Sequence, residues 1–272
     1  MTRALKRTLL VDADILAYQA AATNQDSYKW DDETVSTTTD LEGALRSADE
    51  RLQVIVENLK ATDVIICLTD RGNEFRRNVW PGYKQNRTGA KPILLHDVLD
   101  HYARNHKTYL RPGLEADDCM GILSTHPTLV RGEKIIVSED KDMQTIPGLL
   151  FNPRHDEEPR RITKLQADRF FLKQAITGDQ TDGYPGAPGV GPKSKEVEDV
   201  MAAKDITSMW RAVLEAFERA KARGKLADWP KPMDEQAAAA ALSQARCARI
   251  LRHSDWDFGV KSVRFWMPPR LK

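Results

Sequence analysis

Three short apolar runs, each leading into aspartate, constrain the fold of this 272-residue chain more than any other feature. The runs Thr8–Asp12, Val64–Thr69 and Lys134–Ser138 have strand length and are apolar almost throughout, as strands are when helices cover both faces of a sheet. Segments with helical periodicity separate the runs. The alternation predicts an α/β fold with a mostly parallel sheet flanked by helices.

The second half of the chain has a different pattern, because helical periodicity dominates after about residue 162. We therefore expect a first domain over residues 1–163 and a helical region over residues 164–272. A segment with alternating β-type residues, Ser27–Thr39, suggests a β-hairpin at one edge of the sheet. The predicted helices are Asp40–Lys60, Pro92–His106, Glu115–His126, Lys164–Thr177, Lys193–Ala203, Ile206–Lys221 and Glu235–Leu251.

Acidic residues recur at the ends of the predicted strands. Asp12 ends the first run, Asp70 follows the second, and Asp140 and Asp142 follow the third. The carboxyl ends of parallel strands open onto one crevice, so we expect these side chains to converge. Further acids stand at a predicted helix start and in a later loop: Glu115, Asp117, Asp118, Asp179 and Asp182.

So many carboxylates in one crevice would repel each other unless divalent cations neutralise them. Oxygen ligands suit Mg²⁺ or Mn²⁺, and no His or Cys set suggests zinc. Two such ions can assist displacement at phosphorus, so a metal-assisted phosphodiesterase is the leading hypothesis. Each acid also has an ordinary structural interpretation, and Asp14 in particular is expected to cap the helix that follows it.

The bulk properties exclude little. The net charge is +1, so overall charge does not indicate nucleic acid. The cysteines Cys67, Cys119 and Cys247 have no metal-ligand spacing, which indicates core packing in a reducing compartment. No signal peptide or membrane span is recognised, and we expect a cytoplasmic protein without a membrane partner.

An ordered set of motifs resembles the 5′ nuclease (flap endonuclease-like) superfamily, and in particular the 5′→3′ exonucleases of short-tailed phages. The motifs are LLVDAD, LTDRGNEFRRNVWPGYKQNR, GLEADD, VSEDKDM and GDQTDGYPGAPGVGPKSK, which run from Leu9 to Lys195. The C-terminal segment QARCARILRHSDWDF adds to the phage-type resemblance. One departure is Gly183, where the wider superfamily commonly has Asn.

The resemblance implies a PIN-like fold, with a gateway or arch over about residues 76–106 and a helix-three-turn-helix DNA-binding element over about residues 171–203. It implies two Mg²⁺ ions, for which Mn²⁺ would substitute, and K⁺ at the glycine-rich loop. The first Mg²⁺ would be held by Asp12, Asp70, Glu115, Asp117 and Asp118, and the second by Asp140, Asp142, Asp179 and Asp182.

The resemblance also implies which residues meet DNA. Lys84 and Arg87, three residues apart, would share a face on one helical turn and act on the scissile phosphate. Tyr83 would stack on a terminal base. The other expected DNA contacts are Arg76, Arg77, Asn86, Gly186, Gly189, Gly191, Lys193 and Lys195.

The function implied is 5′→3′ exonucleolytic hydrolysis of duplex DNA in phage replication or recombination, with flap cleavage and RNA-primer removal as further activities. The expected partners are duplex 5′ ends, nicks, flaps, RNA/DNA hybrids and replication proteins. The segment from Lys84 to Glu115 is short for a threading arch, which favours stepwise removal from ends. Two alternatives are a haloacid dehalogenase-like phosphatase, because Asp12-Ala13-Asp14 mimics its nucleophile motif, and a DNA-binding relative that has lost its metals.

Overall fold

The computed structural model of the chain describes residues 6–30, 35–70, 72 and 75–271. Strands and helices alternate in the first half, as the sequence predicts. The strands are β1 (Arg7–Asp12), β2 (Gln25–Lys29), β3 (Val35–Thr39), β4 (Asp63–Cys67), β5 (Thr108–Tyr109), β6 (Glu133–Val137), β7 (Gly148–Phe151), β8 (Arg160–Ile162), β9 (Trp256–Asp257) and β10 (Ser262–Val263). The helices are α1 (Ala13–Thr23), α2 (Leu41–Asn58), α3 (Phe75–Val79), α4 (Leu95–Asn105), α5 (Ala116–Thr125), α6 (Lys164–Thr177), α7 (Lys195–Ala202), α8 (Ile206–Ala222) and α9 (Ala237–Ala248).

The chain folds into two compact units. The first comprises Met1–Gly72, Gly89–Met143 and Gly148–Arg161, and the second comprises Asn73–Thr88, Gln144–Pro147 and Ile162–Lys272. The sequence places residues 75–88 in the first domain, whereas in the structure they fall within the second unit. In this segment Arg76 hydrogen-bonds the carbonyl groups of Cys247 and Arg249, which lie more than 170 residues further along the chain.

The main sheet of the described residues has the strand order β5-β4-β1-β6-β7-β8. β1 lies between β4 and β6 and is parallel to both. The register pairs Asp12 with Cys67 on one side and Val11 with Val137 on the other, so these three strands end side by side. The prediction of a mostly parallel sheet flanked by helices is confirmed.

Helices cover this sheet because its strands are apolar on both faces. Leu9 and Val11 pack in one cluster with buried residues of α1, α2 and α4. Successive strand residues point to opposite faces, so Leu10, which is also fully buried, points the other way. α5 contacts β1, β4 and β6. The sheet is therefore rigidly packed where its strands end.

The predicted β-hairpin forms, although not at the edge of the main sheet. β2 and β3 pair antiparallel as a separate two-stranded sheet. Positions 31–34, which fall within the predicted segment Ser27–Thr39, lie outside the described residues.

The second unit is helical, and the helix predicted over Lys164–Thr177 has those same bounds. α6, α8 and α9 contact one another around a core that includes Phe171, Val213 and Phe217. α6 starts at a capping box, in which Thr163 accepts from the backbone of Gln166. In the part of the chain that is described, no helix is both long and apolar enough to span a bilayer.

Candidate active site

The acids predicted at the strand ends lie in the first unit, at one edge of the sheet. Asp12 is the last residue of β1, while Asp70 and Asp140 each stand three residues beyond the neighbouring strands β4 and β6. Because β4, β1 and β6 are adjacent and parallel, all three acids belong to the crevice at the carboxyl ends of the strands.

Asp12 is buried and fully engaged in hydrogen bonds. Its Oδ1 accepts from the backbone N–H groups of Asp14 (3.1 Å) and Ile15 (3.4 Å), so Asp12 is the N-cap of α1. Its Oδ2 accepts from the hydroxyl of Ser138 (2.8 Å). The expectation that Asp14 caps this helix is therefore wrong, since Asp14 is already inside its first turn.

Burial and neighbouring negative charge disfavour ionisation of Asp12. Removal from water is the main cause that raises its pKa to about 7. The charges of Asp14 and Asp140 contribute to this rise, and the hydrogen bonds from Ser138 and Ile15 oppose it. A cation placed among these acids would reverse that effect, because opposite charge favours the ionised form. The electrostatics of the crevice therefore suit a cation.

Ser138 joins Asp12 to the acidic turn after β6. Its hydroxyl oxygen accepts from the backbone N–H of Asp140 (3.0 Å) while it donates to Asp12. Within the turn, Oδ1 of Asp140 accepts from the N–H of Asp142 (2.7 Å). Sequence reasoning missed Ser138, whose only signal is a hydroxyl residue placed directly before the acids of a strand end.

The loop before α5 is hydrogen-bonded to Asp70, which follows β4. Asp70 accepts from the backbone N–H of Gly113 (2.6 Å), and its own N–H donates to the carbonyl group of Leu114 (2.8 Å). The next residue, Glu115, is the N-cap of α5 and is buried, as is Asp118. Asp118 accepts from the N–H of Glu115 (3.3 Å).

Asp117, on the same turn of α5, is half-buried. Its charge reaches Cys67 at the end of β4, where burial is the main cause that raises the pKa of the thiol and the charges of Asp12 and Asp117 add to the rise. Burial similarly raises the pKa of Cys119 to about 12. Both thiols are therefore protonated packing groups, as predicted, while Asp12 and Asp117 act on a common neighbour.

The donor set of this crevice consists of carboxylate oxygens, which are the ligands that Mg²⁺ and Mn²⁺ prefer. Over the described ranges, no three His, Cys, Asp or Glu side chains stand ready-made as a metal site. The carboxylates instead accept hydrogen bonds from Ser138, from Thr69 and from backbone N–H groups. The chemistry of the donors fits a divalent ion, and binding would require some of these oxygens to exchange partners.

The other predicted site residues lie in the second unit. Asp179 is buried, and its Oδ1 accepts from the backbone N–H groups of Thr181 (2.8 Å) and Asp182 (3.2 Å), which shapes the loop. Asp182 is paired with basic side chains. Its Oδ1 lies 2.5 Å from Nη2 of Arg87 and 4.0 Å from Nζ of Lys84. Lys84 and Arg87 thus share one partner.

These two cations do not share a helical turn, however. α3 ends at Val79, and Lys84 has a φ of 55°, outside the helical region. The loop contact is what brings them together, since the N–H of Lys84 donates to the carbonyl group of Asp182 (2.8 Å) and Asn86 donates to that of Gln180. Segment 80–87 and loop 180–183 are therefore joined by backbone and side-chain hydrogen bonds.

The same contact explains why glycine stands at position 183. Gly183 has a φ of 72°, and a Cβ there would lie 2.5 Å from the carbonyl oxygen of Gly82. Its own carbonyl group accepts from Nε1 of Trp80 (2.9 Å). Asn tolerates a positive φ, but its Cβ would clash with the carbonyl oxygen of Gly82. Only glycine therefore fits this close approach.

Two residues expected at DNA are instead packed inside the second unit. Arg76 is 2% exposed and donates to the carbonyl groups of Cys247 (3.1 Å) and Arg249 (2.8 Å). Tyr83 is 4% exposed, lies against Tyr184 and donates to Oδ2 of Asp182 (3.1 Å). Contact with DNA would remove both from these partners, so we correct their assignment to packing.

The glycine-rich loop also divides into packed and open positions. Gly186 is buried, its N–H donates to Gln244 (3.0 Å), and a Cβ would lie 2.2 Å from the backbone nitrogen of Gly178. Glycine is needed at position 186 for internal packing. This corrects the expectation that Gly186 lets the backbone approach a DNA phosphate. Open positions in and around the loop are Arg77, Asn86, Gly189, Gly191, Lys193 and Lys195.

Residues 7–149 match the protein family described as 5′-3′ exonuclease, N-terminal resolvase-like domain. The chain is 29% identical to the exodeoxyribonuclease of Enterobacteria phage T3 over 97% of its own length and 93% of the relative. The exonuclease of Escherichia phage T7 is also 29% identical, over 97% and 94% of the two chains. A flap endonuclease of Vibrio parahaemolyticus is 29% identical over 86% of this chain and 91% of the relative.

Solved structures share the fold. A phage T5 protein co-crystallised with metal ions superposes with a TM-score of 0.60 at 16% identity, covering 89% of this chain and 88% of its own. A phage T5 flap endonuclease pseudo-enzyme–product complex with DNA and metal ions has a TM-score of 0.55 at 15% identity, over 90% and 89% of the two chains. The predicted resemblance is thus confirmed at the level of superfamily and fold.

Proposed function

This chain belongs to the 5′-3′ exonuclease family with an N-terminal resolvase-like domain, and on that premise we propose that it hydrolyses phosphodiester bonds near the 5′ ends of duplex DNA. The observation that carries the proposal is the acidic crevice of the first unit. Asp12, Asp70 and Asp140 stand at the ends of three adjacent parallel strands, and the acids of α5 begin beside them.

The reaction is proposed to depend on divalent metal, with Mg²⁺ as the natural ion and Mn²⁺ as a substitute. Carboxylate oxygens of Asp12, Asp70, Glu115, Asp117 and Asp118 would hold one ion. When bound, such ions lower the pKa of water and offset the charge that develops on the phosphate. The assignment of Asp140, Asp142, Asp179 and Asp182 to a second ion stays a prediction from the superfamily resemblance.

The protein's own groups would orient the acids and bind the substrate. Ser138 holds Oδ2 of Asp12 and the backbone of Asp140 in a fixed relation, so the acids need little reorganisation when a cation binds. In the second unit, Lys84 and Arg87 would exchange the carboxylate of Asp182 for phosphate oxygens of the DNA backbone. Guanidinium and ammonium groups bind both kinds of oxygen through charge-assisted hydrogen bonds.

Further grip on the DNA backbone is proposed for the open loop of the second unit. α6, the loop after it and α7 would act as the helix-three-turn-helix element, in which Gly189 and Gly191 allow close approach to phosphate and Lys193 and Lys195 add positive charge. Carbonyl groups of this loop would hold K⁺. Arg77 and Asn86 remain proposed contacts because both are exposed.

Nicks, 5′ flaps and RNA/DNA hybrids are proposed as further substrates, and DNA replication or recombination of a phage in the host cytoplasm is the proposed setting. The haloacid dehalogenase-like alternative has no support, because the exonuclease family covers the Asp12-Ala13-Asp14 pattern on which it depended. A DNA-binding relative without nuclease activity is the remaining alternative, and a cleavage assay distinguishes it from an active nuclease.

The test is cleavage of duplex DNA labelled at either end, in Mg²⁺ or EDTA, by wild type and Asp140→Asn. We expect short products released from the 5′ end in Mg²⁺ only. The isosteric substitution should lower the rate at least about a hundredfold, since loss of a metal-binding carboxylate removes several kcal/mol of transition-state stabilisation.

The matched control is Asp97→Asn, which removes an exposed carboxylate from the first turn of α4 and should cleave like wild type. Well-folded wild-type protein that binds DNA but cuts neither end in Mg²⁺ or Mn²⁺ would overturn the proposal and favour the inactive relative.

A further inference from the structure

The hydroxyl of Thr69 lies between two acid-bearing elements of the first unit. Its Oγ1 accepts from the backbone N–H of Ala116 (2.9 Å), the first residue of α5, and forms a second hydrogen bond with Oδ2 of Asp14 in α1. A threonine hydroxyl has one proton, and a backbone N–H can only donate. The proton of Thr69 is therefore directed to Asp14, which fixes the direction of both bonds.

This short chain of hydrogen bonds has a definite structural task. The first N–H groups of a helix have no partner within the helix, and Ala116 finds one in Thr69. A hydroxyl that donates to a carboxylate becomes a better acceptor, because linked hydrogen bonds polarise each other. The acceptor that Asp14 provides thus strengthens the bond that holds the first turn of α5.

Asp14 is not the N-cap of α1. The helix is capped by Asp12, whose Oδ1 takes the N–H groups of Asp14 and Ile15. Asp14 also adds a negative charge close to the buried Asp12. Such a charge is unfavourable for a fold unless another contact or a cation offsets it, as happens at functional sites.

We propose that Thr69 and Asp14 are positioning residues of this nuclease, which hold Glu115, Asp117 and Asp118 of α5 in a fixed relation to Asp12 of β1. The inference rests on the proposed metal site, since these acids are its predicted ligands. Partners that orient metal ligands typically change metal affinity by about 10- to 100-fold when they are removed.

The test compares Thr69→Val, which keeps the shape but removes the hydroxyl, with Thr69→Ser, which keeps the hydroxyl. Affinity of the whole protein for Mn²⁺ is measured without DNA, from the electron paramagnetic resonance signal of the free ion. We expect Thr69→Val to weaken binding at least about tenfold and Thr69→Ser to stay within about threefold of wild type.

Thr62→Val is the matched control, because Thr62 has the same pattern of bonds at the opposite end of β4. Its Oγ1 accepts from the N–H of Arg7 (3.0 Å) and donates to the carbonyl group of Arg7 (3.0 Å). This variant should bind Mn²⁺ like wild type. Equal affinities of wild type, Thr69→Val and Thr62→Val would overturn the positioning role.

Substitutions of Asp14 test the other residue of the proposed pair, and they do not require that Thr69→Val folds well. Asp14→Asn still offers Thr69 an acceptor and should bind Mn²⁺ within about threefold of wild type, whereas Asp14→Ala should match Thr69→Val. The double variant Thr69→Val with Asp14→Ala should bind Mn²⁺ no more weakly than either single variant, because both substitutions remove the same hydrogen bond.

A loss in Asp14→Asn as large as that in Asp12→Asn would overturn the positioning role of Asp14 and make it a direct ligand. Failure of the proposed function has a different result, since wild type itself would then bind no Mn²⁺. Wild-type binding with additive losses in the double variant would contradict only the coupling of Thr69 to Asp14.

Discussion

The acidic crevice of the first unit and the basic segment of the second differ in how well single residues can be assigned. In the crevice, Asp12, Asp70 and Asp140 stand where parallel strands end, and the hydrogen bonds to Asp12 and Asp70 come from residues nearby in the fold. In the segment 75–88, Arg76 and Tyr83 are buried among helices, whereas Arg77 is exposed. The order of parallel strands therefore predicts where an acidic side chain lies. A run of basic residues in the sequence does not predict which of its side chains are exposed.

The largest effect that sharpens this comparison is expected for Asp118→Asn. Asp118 is fully buried, and an amide oxygen can still accept from the N–H of Glu115, so α5 should keep its first turn. Cleavage of 5′-labelled duplex should fall by about a hundredfold or more, because the amide cannot neutralise a cation. Wild-type activity in a folded Asp118→Asn protein would remove this acid from the site.

A smaller effect is expected for the neighbouring arginines of α3. Arg76→Met leaves two buried carbonyl groups without their donor and should lower the free energy of unfolding by about 2–5 kcal/mol. Arg77→Met, on an exposed position, should change it by less than about 0.5 kcal/mol. Urea unfolding of both variants measures the difference, and equal stabilities would refute the packing role of Arg76.

The salt dependence of DNA binding compares Arg76 and Arg77 in a second way, by their contact with phosphate. Arg77→Met should reduce the slope of log affinity against log salt by about 1 if Arg77 contacts phosphate. The slope for Arg76→Met should be that of wild type, measured under conditions where the variant is folded. A reduced slope in Arg76→Met would return that arginine to the DNA surface.

A small effect on stability is also expected for Arg87→Met. Its pair with Asp182 is half exposed, and such pairs contribute less than about 1 kcal/mol. The effect on cleavage should be much larger, about tenfold or more, if Arg87 binds the scissile phosphate. A stability loss well above 1 kcal/mol with unchanged cleavage would make Arg87 a structural residue.

The sequence predicted the fold class, the three central strands and the strand-end acids because each depends on a local pattern. Apolar runs identify buried strands, and parallel order brings their ends together whatever the loops do. The prediction that Asp14 caps α1 is wrong because Asp12 and Asp14 are both suitable caps. Only the backbone path at the end of β1 decides that Asp12 accepts the free N–H groups.

Other features could not be predicted, because they depend on contacts between distant positions. Arg76 reaches carbonyl groups more than 170 residues away, and nothing near it in the chain indicates burial. Ser138 and Thr69 are single hydroxyl residues, and such residues carry no distinctive pattern in one sequence. Their one available signal is position, since each stands directly before or close to the acids that follow a strand.

The most direct measurement is the location of Mn²⁺ by anomalous X-ray diffraction from crystals of the protein soaked in that ion. We predict an anomalous peak at the carboxyl ends of β1, β4 and β6, with ligand oxygens from Asp12 and from the acids of α5 at about 2 Å. A peak only outside this crevice, or none in crystals that diffract well, would contradict a metal-dependent site built on the strand ends.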